Sequence, residues 1–462
     1  MTDAEELRKR YGAGYRWRVL VAVMVGMMAA IISSTIVNVA VPDISRAFEV
    51  GQDRAQWVAT GFMVPMTLAM SLTPSLLQRF GLRGTYIGAV TVLLAGGVAG
   101  GFSPGFEFMI GARALQGLAA GALQPIPSIV ILRAFAPDEQ GRAMGFFGFG
   151  VVLAPALGPT LGGLLVQAFG WRAIFFFVVP FGLAALALAH RYLPRQSAFI
   201  EPGRRFDWPG LALLTVATLL LLNGVVGLHA PSKAPALAAL AAAVPCVALF
   251  SWWELRREDP LLRVKLMRYR QFSTGAVVAF GYGMGLFGST YLLPVFLQIA
   301  LGYTPTAAGL ALLPAGLVLA ATIPIAGRLA DRVLPARLVT AGIVVLALSL
   351  AAMAAVRPAT AYLVIVVLIV AGRIGLGLIM PSLTIGAVRG LPLPDLPQAA
   401  SMASYFRQLG GAIGVGLAGT LLEWRLQANA SEPLAAFSET FLVLAAVLAS
   451  TALAARQMRP AA

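Results

Sequence analysis

Arg113, Arg373 and Arg407 lie inside long apolar segments, where a guanidinium is costly to place and keeps its proton. Such a side chain faces protein or water rather than lipid, so each marks a polar place inside an apolar one. Arg113 shares a helical stripe with Gly117, Ala120 and Gln124, and Gln116 stands beside it. Arg407 is about two turns into its segment, and Arg373 falls near the middle of another. Ser33, Ser34 and Asn38 place two hydroxyls and an amide in the first apolar segment. Together these groups can hold a polar or anionic group by hydrogen bonds and charge. For Arg113 the alternative is a side chain that snorkels to an interface or bonds a backbone carbonyl.

None of those residues titrates near neutrality, so a proton carrier has to be a carboxylate. Of the 19 in the chain, none is placed at mid-segment. Glu107 and Glu439, near segment ends, are the candidate carriers, with an interfacial charge as the alternative for both. A metal site has few parts, because the two histidines, His190 and His229, sit at segment ends. No set of nucleophile, base and acid converges on one face, which argues against an enzyme. The lone Cys246 excludes an intramolecular disulfide.

The elements that must position these residues are membrane helices. The chain has 462 residues, 59% hydrophobic and 11% charged, with mean hydropathy +0.84, a balance no soluble domain shows. About fourteen apolar segments of roughly 20 residues are predicted, the length that crosses a bilayer. With the N-terminus inside, 25 of the 34 Lys and Arg fall on the cytoplasmic side, 6 outside and 3 within spans. That asymmetry places both termini in the cytoplasm and accounts for the net charge of +15 without nucleic acid. All seven tryptophans fall at span ends, as an interfacial belt requires. The charged N-terminal stretch reads as a retained cytoplasmic tail, because no small-residue cleavage site follows it.

Two six-span halves show through local self-similarity. Pro74-x-Leu76-x-Gln78-Arg79-x-Gly81-x-Arg83 is echoed 253 residues on by Gly327-x-Leu329-x-Asp331-Arg332. Arg113-x-x-x-Gly117 is echoed 260 residues on by Arg373-x-x-x-Gly377. The resulting division is a cytoplasmic tail over 1–16, an N-terminal bundle over 17–193, a linker with spans seven and eight over 194–272, a C-terminal bundle over 273–455 and a tail over 456–462. The linker hairpin reads as architectural. At the cytoplasmic turns, Asp331 with Arg332 can lock two helices together, whereas Gln78 stands where the first copy would carry the acid and leaves Arg79 and Arg83 alone. Ordinary positive-inside charge is the alternative there.

The stretch from Gly145 to Gly163 reads GFFGFGVVLAPALGPTLGG. Ala154, Gly158 and Gly162 form a flat stripe for close helix approach, and Pro155 and Pro159 should bend the helix beside it. With Gly163, this pattern resembles the antiporter signature of drug-efflux members of the major facilitator superfamily. TIVNVAVP (35–42), RALQG (113–117), GWR (170–172), FDWPG (206–210) and RQLGGAIG (407–414) are similar to landmarks of its fourteen-span drug:proton antiporter family.

The resemblance implies an all-α polytopic protein of the major facilitator fold: two six-helix bundles plus a two-helix insertion. It implies a multi-pass protein of a bacterial-type inner membrane that exports small amphipathic compounds by alternating access. The proton gradient would be the energy source, with no cofactor, and the protein would work as a monomer in the lipid bilayer. Family members often carry an aspartate where this chain has Ser33. With three deep arginines and no deep acid, transport or flipping of an anionic metabolite or lipid, with weak or absent proton coupling, stays open beside drug export. A non-transporting membrane sensor is the alternative from another class.

Overall fold

A computed structural model describes residues 7, 9–195, 200, 205–228, 232–428 and 432–458; the side chains of Ala13, Gln52, Asp53, Pro155, Ala156, Leu157, Pro159, Thr160 and Pro305 lie outside that description. Among the described residues the secondary structure is helical throughout. The long helices are α1 (Tyr15–Ala47), α2 (Trp57–Ala69), α3 (Thr73–Gly101), α4 (Phe106–Leu123), α5 (Ile126–Ala134), α6 (Gln140–Phe169), α7 (Ala173–Tyr192), α8 (Trp208–Gly227), α9 (Ala234–Arg256), α10 (Arg270–Val295), α11 (Pro305–Ala330), α12 (Pro335–Met353), α13 (Tyr362–Val388), α14 (Leu396–Ala428) and α15 (Pro433–Arg456). Helices are what apolar solvent permits, since each satisfies its own backbone.

Among the described residues, 11 helical stretches are long and apolar enough to cross a membrane. This count falls short of the expected fourteen. Trp57–Gly101 counts as one stretch of 45 residues but covers the second and third expected spans. It is divided at Gly81, whose φ of 68° and ψ of 177° break the helical ladder; that conformation is open to glycine and strained for other residues. α6 and α14, which cover the fifth and thirteenth expected spans, are not among the 11.

The chain divides into two compact units. One comprises Met1–Ala136, Phe149–Asp207 and Pro392–Ser401; the other comprises Pro137–Gly148, Trp208–Leu391 and Met402–Ala462. The hairpin α8–α9 falls within the second unit. Within the first unit α2 packs on α4, α3 on α4, α1 on α7 and α3 on α7. Within the second, α11 packs on α13, α12 on α13, α10 on α15 and α12 on α15. Each pairing in one list has its counterpart in the other, so the sequence echo is matched by a structural one, with Arg113 on α4 and Arg373 on α13 at corresponding places.

Glycines set how closely helices approach. A side chain at Gly117 or Gly121 of α4 would overlap the carbonyl oxygens of Phe62 and Met66 in α2. On α6, Gly158 lies against Thr35 of α1 and Gly162 against Ile36, and Ala154 is fully buried. Gly163 is looser, with Val39 its nearest neighbour at 3.9 Å. α6 is one continuous helix through both prolines.

Candidate functional site

In the first unit, the close approach of α2 to α4 brings the Val58 carbonyl to Arg113. The Arg113 side chain is 1% exposed. Its Nε donates to the Val58 carbonyl at 3.0 Å. Its Nη1 donates to the Ser33 carbonyl at 3.0 Å, to the Ser33 hydroxyl at 3.4 Å and to Gln116 Oε1 at 2.8 Å. The guanidinium also stands 4.4 Å from the Phe62 ring centroid, a cation–π distance. Helical carbonyls retain a second lone pair, so α1 and α2 can accept these bonds and keep their own ladders. The node joins α1, α2 and α4 through one cation, and no carboxylate is among its partners.

That node leaves some polar atoms unmet. Arg113 Nη2 and Gln116 Nε2 are buried without a hydrogen-bond partner, and so is Oε1 of Gln124 at the α4–α5 break. Ser34 turns its hydroxyl to the Ile31 carbonyl at 2.7 Å, and Asn38 is exposed. Of the residues expected on the pathway in this half, the fold therefore gathers Ser33, Arg113 and Gln116 into one contact and sets Ser34, Asn38 and Gln124 apart from it.

The second unit carries the other two deep arginines. Arg373 on α13 donates from Nη1 to the Thr290 hydroxyl of α10 at 3.2 Å. Arg407 on α14 is held by its backbone, because Gly283 of α10 lies against the Arg407 carbonyl with no room for a side chain. The buried Tyr282 of α10 lies within electrostatic reach of both guanidinium groups. Sequence reading missed Tyr282 and Thr290; their signal was an uncharged polar pair, common in any membrane helix.

Asp331, just past the end of α11, does not pair with Arg332, which is exposed. Instead its two carboxylate oxygens accept the backbone amides of Gly141 and Arg142, at 2.6 and 2.9 Å. These amides open α6, where unpaired N–H groups and the helix dipole favour an anion. The approach is set by glycine on both sides, since a side chain at Gly141 would overlap the Gly327 carbonyl and one at Gly145 would press on Pro324. Burial pushes the Asp331 carboxyl up; the amides of Gly141 and Arg142 pull it down, and the charges of Asp138 and Glu139 push it further up. Asp138, Glu139 and Asp331 line a surface cavity of ≈ 740 Å³ with Arg142, Arg328 and Arg332.

The first-copy turn is different. Gln78 is buried and its Oε1 has no partner. Arg79 is exposed and lies 5.6 Å from the Phe80 ring centroid, and Arg83 reaches the Leu193 carbonyl at 3.5 Å. The two candidate proton carriers are ion-paired: Glu107 with Arg54 and Glu439 with Arg425. Among the described residues, no group of three or more His, Cys, Asp or Glu gathers to hold a metal.

Comparison with known proteins fits this architecture. Residues 23–415 match the Major Facilitator Superfamily. The chain is 31% identical over 415 residues to the multidrug resistance protein Stp of Mycobacterium tuberculosis (strain CDC 1551 / Oshkosh), covering 89% of this chain and 76% of that one. It is 28% identical over 396 residues to the lincomycin resistance protein LmrB of Listeria innocua serovar 6a (strain ATCC BAA-680 / CLIP 11262), covering 84% and 83%. Among solved structures, the proton:xylose symporter XylE superposes with a TM-score of 0.68 at 12% identity, covering 96% of this chain and 95% of that one. The chain is a multi-pass membrane protein that belongs to the major facilitator superfamily of transporters, among relatives that include multidrug resistance proteins.

Proposed function

We propose that this protein exports small amphipathic compounds across a bacterial inner membrane by alternating access, driven by proton antiport. The observation that carries the reading is the Arg113 node, a cation buried by α1, α2 and α4 with one guanidinium nitrogen unmet. A guanidinium at that depth keeps its charge and marks a polar place within the apolar bundle, as a transport pathway requires. Similarity to Stp over 89% of the chain supports drug-like substrates. In this reading the fold has fourteen spans, both termini in the cytoplasm, and acts as a monomer. Protons are carried by Glu107 and Glu439, whose ion pairs with Arg54 and Arg425 break when the carboxylate is protonated.

The test uses everted membrane vesicles containing the full chain, energised by respiration and offered neutral, cationic and carboxylate-bearing fluorescent amphiphiles. Accumulation of at least one class, abolished by nigericin, supports the reading. Uptake that is absent for all classes, or indifferent to nigericin, contradicts it.

A further inference from the structure

Arg113 and Arg373 occupy corresponding places in the two structural repeats, yet their surroundings differ. Arg113 is closed in by two backbone carbonyls, a serine and Gln116. At the position corresponding to Gln116, the second repeat has Leu376. Arg373 is left with one hydrogen bond, to the Thr290 hydroxyl, and that hydroxyl already donates to the Leu286 carbonyl at 2.6 Å. Among the described residues the Arg407 side chain makes no hydrogen bond, and its charge is felt by Tyr282. Both arginine side chains are part-exposed, unlike Arg113.

The neighbourhood is rich in donors and poor in acceptors. Arg373 reaches α10 through Thr290, the Arg407 backbone lies against Gly283 of the same helix, and the adjacent Tyr282 lies within electrostatic reach of both guanidinium groups. The acids of this unit lie elsewhere: α10, α11, α12 and α13 hold none, and those of α14 and α15 are Glu423 and Glu439. Glu423 is 16 residues beyond Arg407, about 24 Å along a helix axis. Two cations with no counter-charge in an apolar bundle repel each other and, though part-exposed, are less fully solvated than in water. An oxyanion supplied by a ligand removes both costs, and a carboxylate matches the planar fork of arginine.

We infer that Arg373 and Arg407, with Tyr282 beside them, form an anion subsite that takes the carboxylate of an amphipathic substrate. The inference rests on reading the chain as an exporter of small amphipathic compounds and names the substrate class for which this half is built.

The experiment compares dansylglycine with its neutral isostere dansylglycinamide, each binding to the full chain purified in detergent. The subsite predicts that dansylglycine binds about tenfold or more tightly, since a charge-assisted contact is lost in the amide. Arg373→Gln and Arg407→Gln each reduce that ratio severalfold, and the double variant brings it to about one. Arg373→Lys, which keeps the charge, retains most of the preference and controls for variants that fail to fold. Equal binding of the two probes by the unaltered protein overturns the inference, as does a ratio unchanged in a folded double variant. Vesicles that accumulate neutral amphiphiles with no carboxylate preference overturn the subsite alone. Dansylglycine binding without any energised accumulation overturns the exporter reading and leaves the subsite standing.

Discussion

Arg113 Nη1 bonds both the carbonyl and the hydroxyl of Ser33, at 3.0 and 3.4 Å. Position 33 is therefore the place in α1 from which a side chain speaks directly to the buried cation. Serine gives it a weak acceptor that cannot titrate. An aspartate there would sit as a counter-ion that a proton could remove. Ser33→Asp is expected to make transport more steeply pH-dependent, with activity falling at acidic pH as the new carboxylate is neutralised. The check is the pH profile of probe transport for both proteins; identical profiles would show that position 33 has no bearing on coupling.

Removing the Arg113 side chain breaks the junction of three helices. Each charge-assisted bond is worth about 1.5–3 kcal/mol, so Arg113→Ala should lower thermal stability in detergent and cut transport at least tenfold. Arg113→Lys keeps the charge but loses the fork that reaches Val58 and Ser33 together. It is expected to restore most stability and little transport. Melting curves and initial rates on the same preparations separate the two effects.

Glycine substitutions should sort by what stands opposite. Gly117→Ala places a methyl into the Phe62 carbonyl and Gly121→Ala one into that of Met66. Backbone cannot swing aside, so each is expected to cost about 1–3 kcal/mol. Gly88→Ala and Gly111→Ala meet nothing within 4 Å and should be neutral or stabilising by up to about 1 kcal/mol. Thermal unfolding of the four variants tests the contrast.

The bond from Asp331 to the start of α6 should respond to pH. Because burial raises its carboxyl from the ordinary 3.8, the folded chain takes up this proton before the unfolded chain does. Acidification through the window above 3.8 therefore relieves a cost of folding at this residue while weakening the bonds to Gly141 and Arg142. Hydrogen exchange at those two amides should speed up relative to neighbouring amides as pH falls through that window. Asp331→Asn, with one acceptor oxygen left, should show faster exchange and no such pH dependence.

Tyr86 provides a further test. Its hydroxyl accepts from the Gly26 amide at 3.1 Å and donates to the Ala22 carbonyl at 2.6 Å, two groups one helical turn apart in α1. Tyr86→Phe removes a buried bridge and is expected to cost about 0.5–1.5 kcal/mol. Unfolding measurements on the two proteins check it.

Much of this architecture was legible from the chain, for a physical reason. Apolar length, basic loops and repeated motifs are one-dimensional signals, and a bilayer leaves them few three-dimensional solutions. The correspondence of Arg113 and Arg373 followed from spacing alone. What Asp331 binds did not, because its partners are the backbone amides of Gly141 and Arg142, which leave no mark in side-chain identity. A bond from Arg113 to backbone carbonyl was the alternative the sequence offered, but that the carbonyls are those of Val58 and Ser33 was hidden in the same way. Tyr405 and Thr218, whose hydroxyls meet at 2.6 Å, tie α8 to α14 within the second unit. Neither residue stands out among the many threonines and tyrosines of membrane helices. The small-residue run Gly141, Gly145 and Gly148 was readable in principle, since its steps of four and three residues keep it on one helix face as the stripe of Ala154, Gly158 and Gly162 does.

Proton-driven transport is tested most directly in proteoliposomes of the purified full chain with an imposed pH gradient. The account predicts that inside-acidic vesicles accumulate an amphipathic probe above equilibrium and alkalinise as they do so. It also predicts that Glu107→Gln, Glu439→Gln or both together uncouple the two flows. Probe movement that only equilibrates, with the lumenal pH unchanged and both variants behaving as the parent, would contradict it.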